Sequence, residues 1–371
     1  MSSRPIAVEI KRDIEKYEIV IGHSCLEDLG SQLTGLGLGH TAVIVTNPAI
    51  KSNHGNLLAS GLRKNGFEVD FIEIPSGEAS KSAETAFELI HQIADRYAGK
   101  SIFLVAFGGG VVGDLVGYVA SCFKRGVPYI QVPTTFLAQI DSSIGGKVAI
   151  DLPFGKNLVG AFYHPRLVFS DVSVLATLDK RQIQAGLAEA VKYGIICDKG
   201  LFEMIESRVE DLLNLNQKLL TEVVAQCSRI KASIVSRDEK EHQGLRTILN
   251  FGHTVGHAIE AACQYEEYNH GEAIALGMRV AADLSLALGV VKLDIVERVN
   301  NALSRAGLPN QIHNISLDDI LRCMRHDKKF KSGRNRFILM TGLGKVKIQE
   351  NIDDGLIRSS INKFIEKGDC D

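Results

Sequence analysis

The chain has 371 residues, 45% of them hydrophobic and 23% charged, and its 42 Lys and Arg against 44 Asp and Glu give a formal net charge of −2. That length suggests two or three domains, and the near-neutral balance argues against wholesale nucleic-acid or anionic-membrane binding. Thirty-five glycines against eight prolines exclude a disordered low-complexity chain.

The first residues mix Arg4, Glu9, Lys11, Arg12, Asp13 and Glu15 with apolar positions, so no signal-peptide core is expected. Short apolar runs at 17–21, 41–46, 69–74, 101–107 and 129–132 read as strands, with helical patterns such as 80–97 between them. The run from Ile102 to Phe107 is continuously apolar, as in a strand covered on both faces of a parallel sheet. The stretch 101–123 is apolar too, but Asp114 and five glycines disqualify it as a lipid-facing helix. From about residue 177 the period becomes 3.6. Leu220, Val223, Val224, Cys227, Ile230 and Ile234 form an amphipathic stripe, and similar patterns cover 186–196, 245–262, 273–288 and 294–306. Residues 336–340 and 345–349 suggest a small hairpin, and a helix closes the chain. The expectation is an α/β part followed by a mostly helical part, divided near residue 175, with the ligand cleft between them. The seven cysteines, Cys25, Cys122, Cys197, Cys227, Cys263, Cys323 and Cys370, are odd in number and contain no C-x-x-C pair, which points to a reducing, cytoplasmic setting.

Three groups of residues carry chemistry. Gly108-x-Gly110-x-x-Gly113 directly follows the 101–107 strand and opens a helical run, so backbone amides and a helix N-terminus could take a pyrophosphate. A tight strand-to-helix turn would use the same glycines. No acidic residue follows at the ~20-residue distance where a ribose-binding carboxylate belongs, since Pro133 and Thr134 lie there. His253-Thr-Val-Gly-His257 puts two imidazoles one helical turn apart, a metal-ligand spacing without the glutamate of a hydrolytic zinc site. Glu189 in Leu187-Ala-Glu189 and His270 in His270-Gly-Glu272 could complete a site from separate helices, although a lone helical histidine is ordinarily a surface or capped residue. Lys and Arg beside glycines, as in Ser143-Ile-Gly-Gly-Lys147 and Gly155-Lys-Asn157, suggest anion contacts rather than solvated surface.

Together, Pro75-Ser-Gly-Glu-Ala-Ser-Lys81, Gly108-Gly-Gly-Val-Val-Gly-Asp114, Pro133 through Lys147, Gly155-Lys-Asn157, Leu187-Ala-Glu189, Leu249 through His257 and His270-Gly-Glu-Ala273 resemble the 3-dehydroquinate synthase family along nearly the whole chain. The resemblance implies a dehydroquinate synthase-like fold, with an α/β Rossmann-like N-terminal domain (1–175) and a mostly α-helical C-terminal domain (176–371). It implies zinc, with cobalt suited to the same ligands, held by Glu189, His253 and His270. His257 moves to the substrate site. NAD would take Glu78, Lys81, Gly110, Val111, Gly113, Asp114, Thr134, Thr135, Lys147, Lys156 and Thr177. Substrate and catalytic contacts would fall to Asp141, Lys147, Asn157, Lys192, Lys231, Arg246, Asn250, His257 and the pair Lys328 and Lys329. Arg125 would reach the site of a neighbouring subunit in a homodimer.

The implied reaction takes 3-deoxy-D-arabino-heptulosonate 7-phosphate to 3-dehydroquinate and phosphate, with NAD recycled within each turnover. Two departures stand out. Val148 follows Lys147 where threonine is expected, and 238–244 is one residue longer than expected. Rival readings are another sugar phosphate cyclase, a metal-dependent polyol dehydrogenase such as glycerol dehydrogenase, and a non-catalytic binding protein.

Overall fold

The computed structural model describes residues 16–264, 266–326 and 335–366. The first half is built on a six-stranded parallel sheet. Its strands are β1 (Glu18–Gly22), β2 (Thr41–Thr46), β3 (Glu68–Glu73), β4 (Ile102–Gly108), β5 (Tyr129–Pro133) and, after a hairpin of β6 (Lys147–Leu152) and β7 (Gly155–Phe162), β8 (Leu167–Asp171). They lie in the order β1-β8-β5-β4-β2-β3. Every residue of β2, β4, β5 and β8 is buried, which is why these segments are apolar without alternation. One apolar cluster on each face covers the sheet, and the helices Asn56–Lys64, Ala83–Tyr97 and Gly110–Cys122 make the crossovers. The chain steps outward from β2 to β3 and then returns to the other side of β2 as β4. This topological switch falls between Thr46 and Gly108, at the carboxyl ends of the strands, where open α/β sheets bind ligands.

The five apolar runs of the sequence are strands, while β6, β7 and β8 were not anticipated. β8 has only three apolar residues before Ser170 and Asp171, and β7 carries two glycines and a Lys-Asn pair that depress strand character. β6 and β7 pair antiparallel, and β6 packs on the Gly110–Cys122 helix. That packing answers the question posed by Val148. Its side chain is 3% exposed and belongs to the same apolar cluster as Val116 and Val119, so a valine costs the site no hydroxyl.

The second half is helical, with a β9 (Arg336–Gly342) and β10 (Lys345–Glu350) antiparallel hairpin, as expected, and a closing helix Asp354–Asn362. The helix Lys180–Cys197 runs through the largest apolar cluster and is buried on all sides from Leu187 to Ile196. The single helix expected over 245–262 is instead a 3₁₀ turn, Leu245–Asn250, and a helix His253–Ala262, because Gly252 takes a left-handed φ of 79° between them. That break allows close packing with the helix His270–Ala287, in which a Cβ on Gly277 would come 1.9 Å from the Gly252 carbonyl oxygen. The rings of His253 and His270, each the first residue of its helix, thereby come within 5.5 Å of each other, centroid to centroid. Among the described residues no helix is long and apolar enough to cross a membrane.

Candidate active site

Glu189 projects from the centre of the buried Lys180–Cys197 helix and is 0% exposed. His253 Nε2 lies 3.6 Å and His270 Nε2 3.9 Å from its Oε1. Lys192, one turn further along the helix, forms an ion pair with Oε2, while Oε1, facing the two histidines, receives no hydrogen bond. A buried carboxylate left in that state is costly unless a cation completes it. One ligand atom from each of Glu189, His253 and His270 falls within 4.8 Å of the others. Two imidazoles, one carboxylate and an open side make the donor set of a catalytic zinc site, so the residues present fit a divalent metal. His253 Nδ1 sits 3.1 Å from the Phe251 carbonyl oxygen, which receives its proton and leaves Nε2 facing Glu189. His257, one turn on, is half-buried, with its ring 5.1 Å from that of His253 and 6.0 Å from that of His270.

Beside this centre lies a network of buried charge. Asp141, in a π-helical turn Ala138–Ser142 after β5, accepts from the Tyr193 hydroxyl at 2.7 Å and pairs with Lys231 from the helix Gln217–Arg237. Burial alone would raise the Asp141 carboxyl, but Lys231 and Lys192 outweigh it and hold it below the usual carboxylate range. Tyr193 also lies under Lys192, whose Nζ is 4.9 Å from the ring centroid. One carboxylate and one phenol thus hold two ammonium groups against the Glu189 side of the site.

A second cationic pair forms at the glycine turn before β6. Glu241 reaches from the Asp238–Gly244 loop to Lys147 Nζ at 2.6 Å, and its Oε1 lies 3.6 Å from Arg246 Nε, which is buried and receives no acceptor. The loop is braced by Asp238, which accepts from the amides of Gln243, Leu245 and Arg246, and by the contact of Glu239 with His164 at 3.0 Å.

The nucleotide set gathers at the sheet's carboxyl edge. Lys81 Nζ donates to Asp114 Oδ2 at 2.6 Å and to Asn157 Oδ1 at 2.5 Å, and Lys156 pairs with Glu78 at 3.4 Å. Burial pushes the Asp114 carboxyl up to about 6 against the pull of Lys81, whereas at Lys81 the attraction of Asp114 outweighs burial and the ammonium is held charged. A cavity of about 410 Å³ opens here, lined by Glu78, Lys81, Asp151 and Lys156. The helix beginning at Gly110 turns its amides, including that of Val111, toward the same edge. Gly113 serves packing, because a Cβ there would lie 2.8 Å from Gln131 Oε1. The Thr134 and Thr46 hydroxyls are buried without partners at the ends of β5 and β2, beside the switch point, and Thr135 caps the turn that follows. Polar groups of this kind fit a dinucleotide.

The structure thus brings Glu78, Lys81, Asp114 and Lys156 together and adds Asn157 to them, although the resemblance put Asn157 with the substrate. The Thr177 hydroxyl lies 2.9 Å from His54 Nε2, beyond β8. Asn250 ends the turn leading to Phe251, and Arg125 is exposed at the end of the Gly110–Cys122 helix. Lys328 and Lys329 lie outside the described residues. Thr46, Tyr193, Glu241 and Glu260 were not singled out from the sequence. Glu260 carried a signal, since it lies seven residues after His253 on one helix face.

The family described as 3-dehydroquinate synthase N-terminal matches residues 71–185, and that described as 3-dehydroquinate synthase C-terminal matches residues 186–330. The chain belongs to the 3-dehydroquinate synthase family. Among relatives, the 3-dehydroquinate synthase of Rippkaea orientalis is 42% identical over 365 residues, which cover 98% of this chain and 100% of the relative. Among solved structures, ValA, the 2-epi-5-epi-valiolone synthase of Streptomyces hygroscopicus with NAD⁺ and Zn²⁺ bound, superposes with a TM-score of 0.87. It is 26% identical and covers 96% of this chain and 99% of its own. A 2-deoxy-scyllo-inosose synthase complexed with carbaglucose-6-phosphate, NAD⁺ and Co²⁺ has a TM-score of 0.84 at 29% identity, covering 93% and 96%. The expected fold, an α/β Rossmann-like part followed by a helical part, is therefore that of the sugar phosphate cyclases.

Proposed function

We propose that the chain is a phosphate-eliminating lyase that converts 3-deoxy-D-arabino-heptulosonate 7-phosphate to 3-dehydroquinate and phosphate. The observation that carries this reading is the buried, underbonded Glu189 carboxylate facing two histidines, in a chain 42% identical to a 3-dehydroquinate synthase over nearly its full length. Glu189, His253 and His270 would hold a divalent metal, and Glu78, Lys81, Gly110, Val111, Asp114, Thr134, Thr135 and Lys156 would hold NAD, with Gly113 packing its turn. When bound, NAD accepts a hydride from the substrate and returns it, and zinc acts as a Lewis acid toward the hydroxyls it binds.

The remaining work falls to the chain's own side chains. Lys147 and Arg246 bind an anionic group of the substrate, and the Glu241 carboxylate between them marks where such a group fits. Asp141 and Tyr193 orient Lys192 and Lys231, which stabilise oxyanion charge developing beside the metal. His257, half-buried at the mouth, and Asn250 complete the substrate side. The departing phosphate can take the proton released in elimination, so a buried network of cations suffices without a dedicated carboxylate base. Two domains would meet near residue 175, after β8, with the site between them.

We expect phosphate release from the heptulosonate phosphate with no net NADH. Stoichiometric NADH absorbance at 340 nm would indicate a polyol dehydrogenase instead, and turnover of sedoheptulose 7-phosphate alone would indicate another cyclase.

The homodimer is likewise a proposal. Arg125 is exposed on a turn where it and Lys124 both take left-handed φ values, 64° and 49°. On β7 the side chains of Leu158 and Phe162 share one face, both more than 40% exposed, and Phe154 at the hairpin tip is 90% exposed. Mixing Arg125→Ala with Lys147→Ala subunits should restore part of the lost turnover through hybrid sites. No recovery after verified subunit exchange counts against a shared site.

A further inference from the structure

We propose that Glu260 is a positioning residue for the metal centre, its carboxylate holding the His270 ring so that Nε2 faces the cation. The proposal rests on the reading of Glu189, His253 and His270 as ligands. An imidazole that ligates through Nε2 carries its proton on Nδ1, and the acceptor of that proton sets both tautomer and ring plane. His253 finds this acceptor locally in the Phe251 carbonyl, because the Gly252 break puts the histidine at the start of its helix. His270 also begins a helix, but it takes its acceptor from the neighbouring one, with Nδ1 3.4 Å from Glu260 Oε1.

Glu260 lies two turns after His253 on the same helix face, so one helix presents a ligand and then the carboxylate that orients the other helix's ligand. It is 6% exposed, and a buried carboxylate is costly unless a donor meets it. The contact between Gly252 and Gly277 keeps the two helices at the separation this arrangement needs. The start of the His270 helix is fixed independently. Asn269 and Glu272 form a reciprocal cap, and Arg181 grips Glu272 with two hydrogen bonds of 2.6 Å. With the backbone held there, the ring's remaining freedom is rotation about its side-chain bonds, and Glu260 limits that rotation.

The same geometry raises one rival. One atom each of His257, Glu260 and His270 also lies within 4.8 Å of the others, so the three could hold a second cation with Glu260 as ligand. That arrangement needs a lone pair on His270 Nδ1, which a proton donated to Glu260 denies it.

Cobalt(II) loading of the full chain with NAD present separates the cases, with affinity read by chelator competition and geometry by the visible d–d spectrum. Glu260→Ala should weaken Co²⁺ binding ~10–100-fold and shift the bands. Glu260→Gln, whose amide oxygen still accepts from Nδ1, should recover most of both. If the alanine variant does not fold by circular dichroism, Glu260→Met fills the volume without an acceptor and gives the same readout. Wild-type affinity and bands in the alanine or methionine variant would overturn the proposal. So would two Co²⁺ per wild-type chain with only the second lost on substitution, which favours the rival. Retention of Co²⁺ by His253→Ala would instead sink the ligand set itself, a failure distinct from that of Glu260.

Discussion

His253→Ala should lose its metal and its turnover together while remaining folded. The ring sits on the wall of the site rather than inside an apolar cluster, so its removal leaves the two apolar clusters of the sheet and the two of the helical part intact. What disappears is one of three ligand atoms and the Nδ1 contact with Phe251 that aimed it. Loss of an outer partner alone costs ~10–100-fold in metal affinity, and loss of a ligand should exceed that. Elemental analysis should show near-zero zinc where wild type holds about one ion per chain, with kcat falling in parallel and the circular dichroism spectrum unchanged. Zinc at the wild-type level in the variant would disprove the ligand assignment.

The largest stability effect is expected at Arg279, far from the chemistry. This guanidinium is 2% exposed on the His270–Ala287 helix, and its hydrogen bonds among the described residues go to no carboxylate. It donates instead to the carbonyl oxygens of Pro309 and Asn300, to Asn300 Oδ1 and to the Ser304 hydroxyl, at 3.0 to 3.2 Å. Burial accordingly pushes it down to about 10. Three of these four acceptor atoms, on Asn300 and Ser304, lie in the last turns of the helix Leu293–Arg305, whose carbonyl end favours a cation. Arg279→Ala would leave several buried acceptors unpaired and open a cavity between the helices. We expect a loss of about 3–5 kcal/mol, visible as a lower urea midpoint. A variant as stable as wild type would show that water or a shifted side chain replaces the guanidinium without cost. Because the same helix begins with His270, metal affinity measured below the new unfolding midpoint should remain near wild type. That outcome would separate support of the fold from support of the site.

Much of the site was legible because its chemistry sits in short contiguous blocks. Gly108 to Asp114 follows an apolar run of the kind a covered strand has, and the turn with its helix appears there. His253, His257 and His270 were visible as candidate ligands, but spacing favoured the 253–257 pair. Deciding between His257 and Glu189 needed the resemblance, since a carboxylate more than sixty positions upstream carries no local sign of where it points. Val148 looked like a missing hydroxyl, yet strand alternation turns its side chain into the core while Lys147 faces the site.

Composition and hydrophobic period determined the broad layout. A continuously apolar run buries both faces and joins a parallel sheet, a 3.6-residue stripe packs one helix face, and near-equal charge leaves no surface-wide polyanion site. These are local or averaged properties, so the order of residues suffices to reveal them. Tertiary structure alone decided which distant groups meet: Glu241 between Lys147 and Arg246, Tyr193 against Asp141, Glu260 beside His270. Each contact depends on the distance and rotation between two elements. Those are set by close packing at positions such as Gly252 and Gly277, where an added Cβ would collide with backbone. Packing of that kind sums over many neighbours at once, and no stretch of sequence carries it by itself.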